Sequence, residues 1–182
     1  NTTGAMDANS VILNGVLQSS YSLSGSPTIY PNKMSISTTA GFSIVTYTAN
    51  DTGGATVPHG LGKKPDLYIL KQLGGGNGFA THHESMAGDA YYGVLNTNAL
   101  PIQDTTYVVA GVDTNKITFG STAHGMVNLS GDYILYSWNS VEGFSKFGSY
   151  VANGSMDGSF VYLGFKPGLV IIKKVTTATQ SW

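Results

Sequence analysis

Along most of the chain, apolar residues either alternate with Ser and Thr or gather in short runs, and turn residues interrupt them about every ten positions. The segment FSIVTYT at 42–48 alternates with period two. DLYIL at 66–70 and GLVIIKK at 168–174 are apolar on both faces, as expected of strands covered on two sides. The pattern predicts strands over Phe42–Thr48, Leu67–Lys71, Tyr107–Val112, Lys116–Phe119, Tyr133–Trp138, Phe144–Val151, Phe160–Leu163 and Leu169–Val175. The DTN at 113–115 reads as a three-residue hairpin loop, and NLSGD at 128–132 as a turn before YILYSW. Helical periodicity is nearly missing, with one short helical turn expected in SMAGDAYYGVLN at 85–96. The fold class that follows is all-β, an antiparallel β-sandwich. Residues 72–106 are the least regular stretch and the expected home of binding loops.

The string beginning at Gly41 returns, altered, at Gly143. At an offset of 102 positions, Gly41-Phe42-Ser43 meets Gly143-Phe144-Ser145, and Leu61-Gly62 meets Leu163-Gly164. Lys64-Pro65 meets Lys166-Pro167, while Leu67, Ile69 and Lys71 meet Leu169, Ile171 and Lys173. With one inserted residue, Tyr47, Ala49 and Asn50 meet Tyr150, Ala152 and Asn153. This reads as a tandem unit of about one hundred residues, an ordinary domain length. The expected organisation is an N-terminal extension with leading strands (1–40), a complete β module (41–142) and a partial second module (143–182). GAMD at 4–7 reads as a cloning remnant, so residues 1–9 are set aside from the fold reading. Every repeated residue has a packing or turn role, so the repeat speaks for architecture and not for chemistry.

Composition narrows the function. Charged residues make up only 10% of the chain, and Ser, Thr, Asn and 24 glycines supply the polarity. Such a neutral, hydroxyl-rich surface suits secreted, virion or adhesive β proteins more than cytosolic enzymes. All nine basic residues are lysine. Without arginine's fork for phosphate and guanine, nucleic-acid binding is not expected. No apolar run approaches the length of a membrane helix, so no membrane insertion is expected. Cysteine is absent, which removes disulfides, thiolate metal sites and thiol nucleophiles.

TTAGFSIVTYTANDTGGATVPHGLGKKPDLYILK, followed by GDYILYSWNSVEGFSKFGSYVANGSMDGSFVYLGFKPGLVIIKK, closely resembles the tandem repeats of structural proteins of marine bacteriophages, cyanophages included. The resemblance covers about residues 38–182, and departs from the usual pattern at Phe79, near where relatives commonly carry Trp, and at the looser GGGNG of 74–78. It implies a tail-fibre-like virion protein on the particle surface, without catalytic residues. The expected partners are other virion proteins and a host-surface glycan or receptor. By fibre analogy it implies a homo-oligomer, a trimer.

The motifs that might carry chemistry are weak. In THHES (81–85), His82 and His83 are adjacent, so on a strand they face opposite ways and cannot chelate one metal together. No second histidine four residues on completes a zinc-protease pattern. GGGNG lacks the Lys-Ser/Thr and following helix of a phosphate loop. His59 and His124 are isolated and read as turn histidines holding backbone. Neither paired carboxylates nor a calcium loop stands out, so no cofactor or metal is expected. The tyrosines of DAYYGVL, Tyr91 and Tyr92, are the candidates for stacking on sugar rings, although the plainer reading buries one of them. With His82 and His83 they complete the candidate ligand-binding residues. Two further readings stand beside a non-enzymatic fibre module displaying its loops: a lectin-like carbohydrate-binding module, and a glycan depolymerase.

Overall fold

The computed structural model describes residues 5–6 and 10–175, and for Ala5–Met6 the backbone only. Among them lie fourteen strands and no helix. In chain order these are β1 (Ala5–Met6), β2 (Val11–Leu13), β3 (Val16–Leu17), β4 (Tyr21–Ser22), β5 (Lys33–Ser37), β6 (Phe42–Thr48), β7 (Thr56–Pro58), β8 (Leu67–Gln72), β9 (Ala80–His83), β10 (Tyr91–Val94), β11 (Ile102–Gln103), β12 (Val109–Val112), β13 (Lys116–Phe119) and β14 (Asp132–Trp138). The all-β expectation holds.

Nine strands form one mixed sheet in the order β11-β10-β9-β8-β14-β6-β5-β2-β3, in which only the β2–β5 pair is parallel. A three-stranded sheet, β12-β13-β7, and the β1-β4 pair complete the ladders. The centre of the large sheet is β14. It runs antiparallel to β6 over Asp132–Trp138 and to β8 over Tyr133–Trp138. Strands β6 and β8 are therefore held apart, each laddered to the strand between them.

Period-two patterning decides the faces. Ser43, Val45 and Tyr47 of β6, Tyr68 and Leu70 of β8, and Tyr133, Leu135 and Ser137 of β14 are all buried on the inner side. One core cluster joins these apolar residues to Val57, Val109, Ile117 and Phe119 from the small sheet. Tyr47 lies between Tyr133 and Phe119, with ring centroids at 5.2 and 6.0 Å. A buried polar lattice ties the loops to this core. Asn128 is fully buried, donates from Nδ2 to Asn50 Oδ1 and to Thr52 O at 2.8 and 2.9 Å, and accepts from Asn50 N–H.

Several boundaries differ from the sequence expectation. The stretch 72–106 holds three strands, β9 to β11, and 85–96 has no helical turn. Residues 10–22 hold the β2–β3 hairpin, whose Asn14 and Gly15 both have positive φ (49° and 83°), the geometry that an Asn-Gly hairpin turn requires. The larger correction concerns the predicted strands Phe144–Val151, Phe160–Leu163 and Leu169–Val175. None forms; beyond Val141 the described residues contain a single isolated bridge, Val141 to Ser145. The physical reason lies in the ladder. Strands β6 and β8 are held by β14, and no comparable central strand stands between 144–151 and 169–175 among the described residues.

Candidate functional site

Of the residues singled out from sequence, the structure buries two and leaves two partly open. His82 and Tyr92 turn inward, and Tyr92 joins the core cluster. His83 and Tyr91 are half-buried. His82 and His83 do face opposite sides of β9, and so do Tyr91 and Tyr92 of β10. His83 lies against the Phe147 ring at 6.3 Å. The tyrosines therefore do not form an exposed stacking pair.

His82 belongs to a row that crosses the inner face of the sheet. Register aligns Ser43 of β6, Ser137 of β14, Tyr68 of β8 and His82 of β9. The Tyr68 and His82 rings stack at 5.1 Å. His82 Nδ1 donates to the Tyr91 carbonyl at 2.8 Å, which fixes the neutral tautomer with Nε2 bare. Burial pushes the His82 pKa down and the Tyr68 phenol up. Ser43 Oγ donates to His59 O at 2.6 Å. Ser137 Oγ, Tyr68 OH and His82 Nε2 have no hydrogen-bond partner among the described residues. The row has the Ser and His of a hydrolase site but neither its carboxylate nor its wiring, since no Ser–His hydrogen bond joins it and the groups are sealed from solvent.

The isolated histidines hold backbone. His59 Nε2 donates to Asp113 O at 3.1 Å and Nδ1 accepts from Leu61 N–H at 3.2 Å. His124 Nδ1 accepts from Met126 N–H. No group of three or more His, Cys, Asp or Glu side chains converges among the described residues. The cleft beside Tyr21, Met34, Pro58 and Asn115 encloses about 100 Å³, below the size of a typical small-molecule pocket.

The outer face of the sheet is the more distinctive surface. Three cross-strand rows lie on it: Leu67–Trp138–Phe42, Ile69–Tyr136–Ile44 and Lys71–Ile134–Thr46. All nine side chains are half-buried. Trp138 stacks on Phe42 with centroids 4.9 Å apart and interplanar angle 30°, and Tyr136 follows at 6.1 Å and 22°. The result is a shallow platform of three near-parallel rings on the most extensively paired strands, bordered by aliphatic residues. In each stacked pair the facing ring surfaces cover one another, so ring edges, outer ring faces and aliphatic groups are what can meet the C–H groups of a sugar or another apolar surface. Lys71 closes one side, with Nζ donating to Gly75 O and Asn77 O at 2.9 and 2.6 Å and lying 5.4 Å from the Phe79 ring centroid.

The sequence reading did not single out Phe42, Tyr136 or Trp138. The signal was present in ILYSW, where Ile134, Tyr136 and Trp138 alternate onto one face. What it lacked was knowledge of which face the small sheet covers.

No curated protein and no solved structure matches the chain. The family model described as Domain of unknown function (DUF7483) matches residues 22–182, and the chain belongs to that family.

Proposed function

We propose that the chain is a non-enzymatic, tail-fibre-like module of a bacteriophage virion, a β-sandwich-like unit that sets reach and displays loops toward a host surface. The observation that carries this reading is the placement of the recurring residues. Phe42, Ser43, Leu67, Ile69 and Lys71 are strand residues of β6 and β8, and Leu61 and Pro65 are buried in the connection between them. In the first copy the apolar residues of the recurring string take framework positions, which supports an architectural unit, as the resemblance to phage repeats implies. Connections 73–79, 84–90 and 95–101 all leave the β8–β10 half of the sheet and are candidates for the displayed loops. Homo-oligomerisation, with a trimer by fibre analogy, would multiply weak loop contacts into avidity. The test is competition: soluble protein is added to a panel of marine cyanobacteria before phage, and adsorption is measured. Slower adsorption of at least one phage is expected; unchanged adsorption across the panel, with no binding of the labelled chain to cells, overturns the reading.

A second reading, a carbohydrate-binding module, is favoured by the Phe42–Trp138–Tyr136 platform. It moves the sugar contact from Tyr91 and Tyr92 to the outer sheet face. Trp138→Ala should abolish retention on a host-polysaccharide column, while Tyr91→Ala should not. The reverse order would return the site to the β10 loop region.

A further inference from the structure

Residues 143–175 carry the sequence of two central strands, yet they are laid out as an open arm. At the repeat offset Leu169, Val170, Ile171 and Ile172 match Leu67, Tyr68, Ile69 and Leu70 of β8. In the body, Tyr68 and Leu70 are completely buried. Their counterparts Val170 and Ile172 are 61% and 56% exposed, and Leu169 and Ile171 are 79% and 66% exposed. The β6-like part is as open, with Phe144, Tyr150 and Val151 all exposed. An apolar surface of this extent marks an interaction site.

The body shows what such strands require. Strands β6 and β8 flank β14, which supplies both with a continuous antiparallel ladder. The arm has counterparts of both flanking strands and, among its described residues, none of the strand between them. Its entry is fixed by the Val141–Ser145 bridge and by Phe147 N–H donating to Ser140 Oγ at 3.1 Å, and Lys173 Nζ anchors its far part on Thr97 O at 2.7 Å. Charge points the same way. Four lysines against Asp157 give the arm 143–175 a net charge of +3. The segment 131–142, which contains β14, has Asp132 and Glu142 and no lysine, a net charge of −2.

We propose that the arm is a strand acceptor: its β6-like and β8-like segments bind an acidic polypeptide strand with the alternating aromatic and aliphatic pattern of β14. Val170 and Ile172 then share one face with the strand's inward positions, as Tyr68 and Leu70 do with Leu135 and Ser137. Main-chain bonds supply affinity and the alternate side chains supply selectivity. This goes beyond the virion reading and does not rest on it.

The test uses the full chain and a synthetic peptide with the sequence of residues 131–142, read by hydrogen exchange. Saturating peptide should slow exchange of amides 144–151 and 169–175 by about tenfold or more, as laddering does, and leave β6 and β8 unchanged. A peptide carrying Leu135→Pro, which deletes a ladder donor from the middle, should give no protection. Ile172→Asp in the full chain, at an exposed position, should leave body protection intact and weaken peptide binding at least tenfold. The proposal is overturned if both peptides act alike, if protection falls on the sheet-edge strands β3 or β11 and not on the arm, or if it appears nowhere. It is equally overturned if arms protect one another without peptide as concentration rises, because a second copy would then be the occupant.

Discussion

Acidification from pH 7 to pH 5 should weaken the fold through His59. The ring is fully buried, and both nitrogens are committed: Nε2–H donates to the Asp113 carbonyl and bare Nδ1 accepts from Leu61 N–H. A second proton would have to enter at Nδ1, where it would face another donor. Burial accordingly lowers the His59 pKa from 6.5 to about 4, with the Asp113 carbonyl opposing only part of the shift. Between these values the unfolded chain binds a proton that the folded chain refuses, so stability rises with pH up to about 6.5 and is flat above. With 6.5 unfolded and about 4 folded, moving from pH 7 to pH 5 costs about 2 kcal/mol. For an m-value near 2 kcal/mol/M, that lowers the urea midpoint by about 1 M. His82 and His83, also shifted down by burial, act in the same direction. The decisive comparison is therefore between slopes. His59→Gln keeps a donor and an acceptor but does not titrate, and its midpoint should fall by about 1 M less than wild type over the same interval. Equal pH slopes in the two proteins would refute the reasoning, whatever their absolute stabilities.

Leu135, fully buried at the middle of β14, should lose about 2–5 kcal/mol of unfolding free energy on substitution by Ala, measured by urea denaturation. Tyr133→Phe should cost about 1–3 kcal/mol, because its hydroxyl accepts from Leu129 N–H and reaches the Gly125 and Leu129 carbonyls. Tyr68→Phe, which removes a buried hydroxyl with no protein partner among the described residues, should cost less than Tyr133→Phe in the same assay, and the opposite order would contradict these assignments. Gly53→Ala drives a Cβ into the Ser121 carbonyl oxygen, so two backbone segments must separate; a loss of about 1–3 kcal/mol is expected, visible as a lower thermal midpoint.

How much of this was legible varies by element. Strand β6 and strand β13 were predicted to the residue, because FSIVTYT alternates cleanly and KITF follows a hairpin turn. The turn histidine reading of His59 also matches, since a histidine between Pro58 and Gly60 sits where backbone donors need a partner. The β2–β3 hairpin was readable from Asn14-Gly15 and lay within the leading region as a pair of strands too short to stand out. The arm was overread for a physical reason. Strand propensity and alternation describe a residue's fit to a pleated surface, and a strand exists only where a neighbour completes its ladder. GLVIIKK satisfies the first condition as well as DLYIL does, and only DLYIL has β14 beside it.

The same distinction separates fold from function on β14. Alternation assigns Tyr133, Leu135 and Ser137 to one face and Ile134, Tyr136 and Trp138 to the other, but a chain apolar on both faces does not say which one is sealed. The answer comes from residues far away in sequence: Val57, Ile117 and Phe119 join the inner side in one core, and the outer row stays only partly covered. Substitutions on the inner row must therefore register as lost stability, since they remove packed volume or bonded hydroxyls. Substitutions on the outer row remove ring stacking at a partly solvated surface, so their main effect belongs to whatever that surface meets. Strand β14 holds the sheet with one face and keeps the Trp138 and Tyr136 rings, stacked with Phe42, partly open on the other.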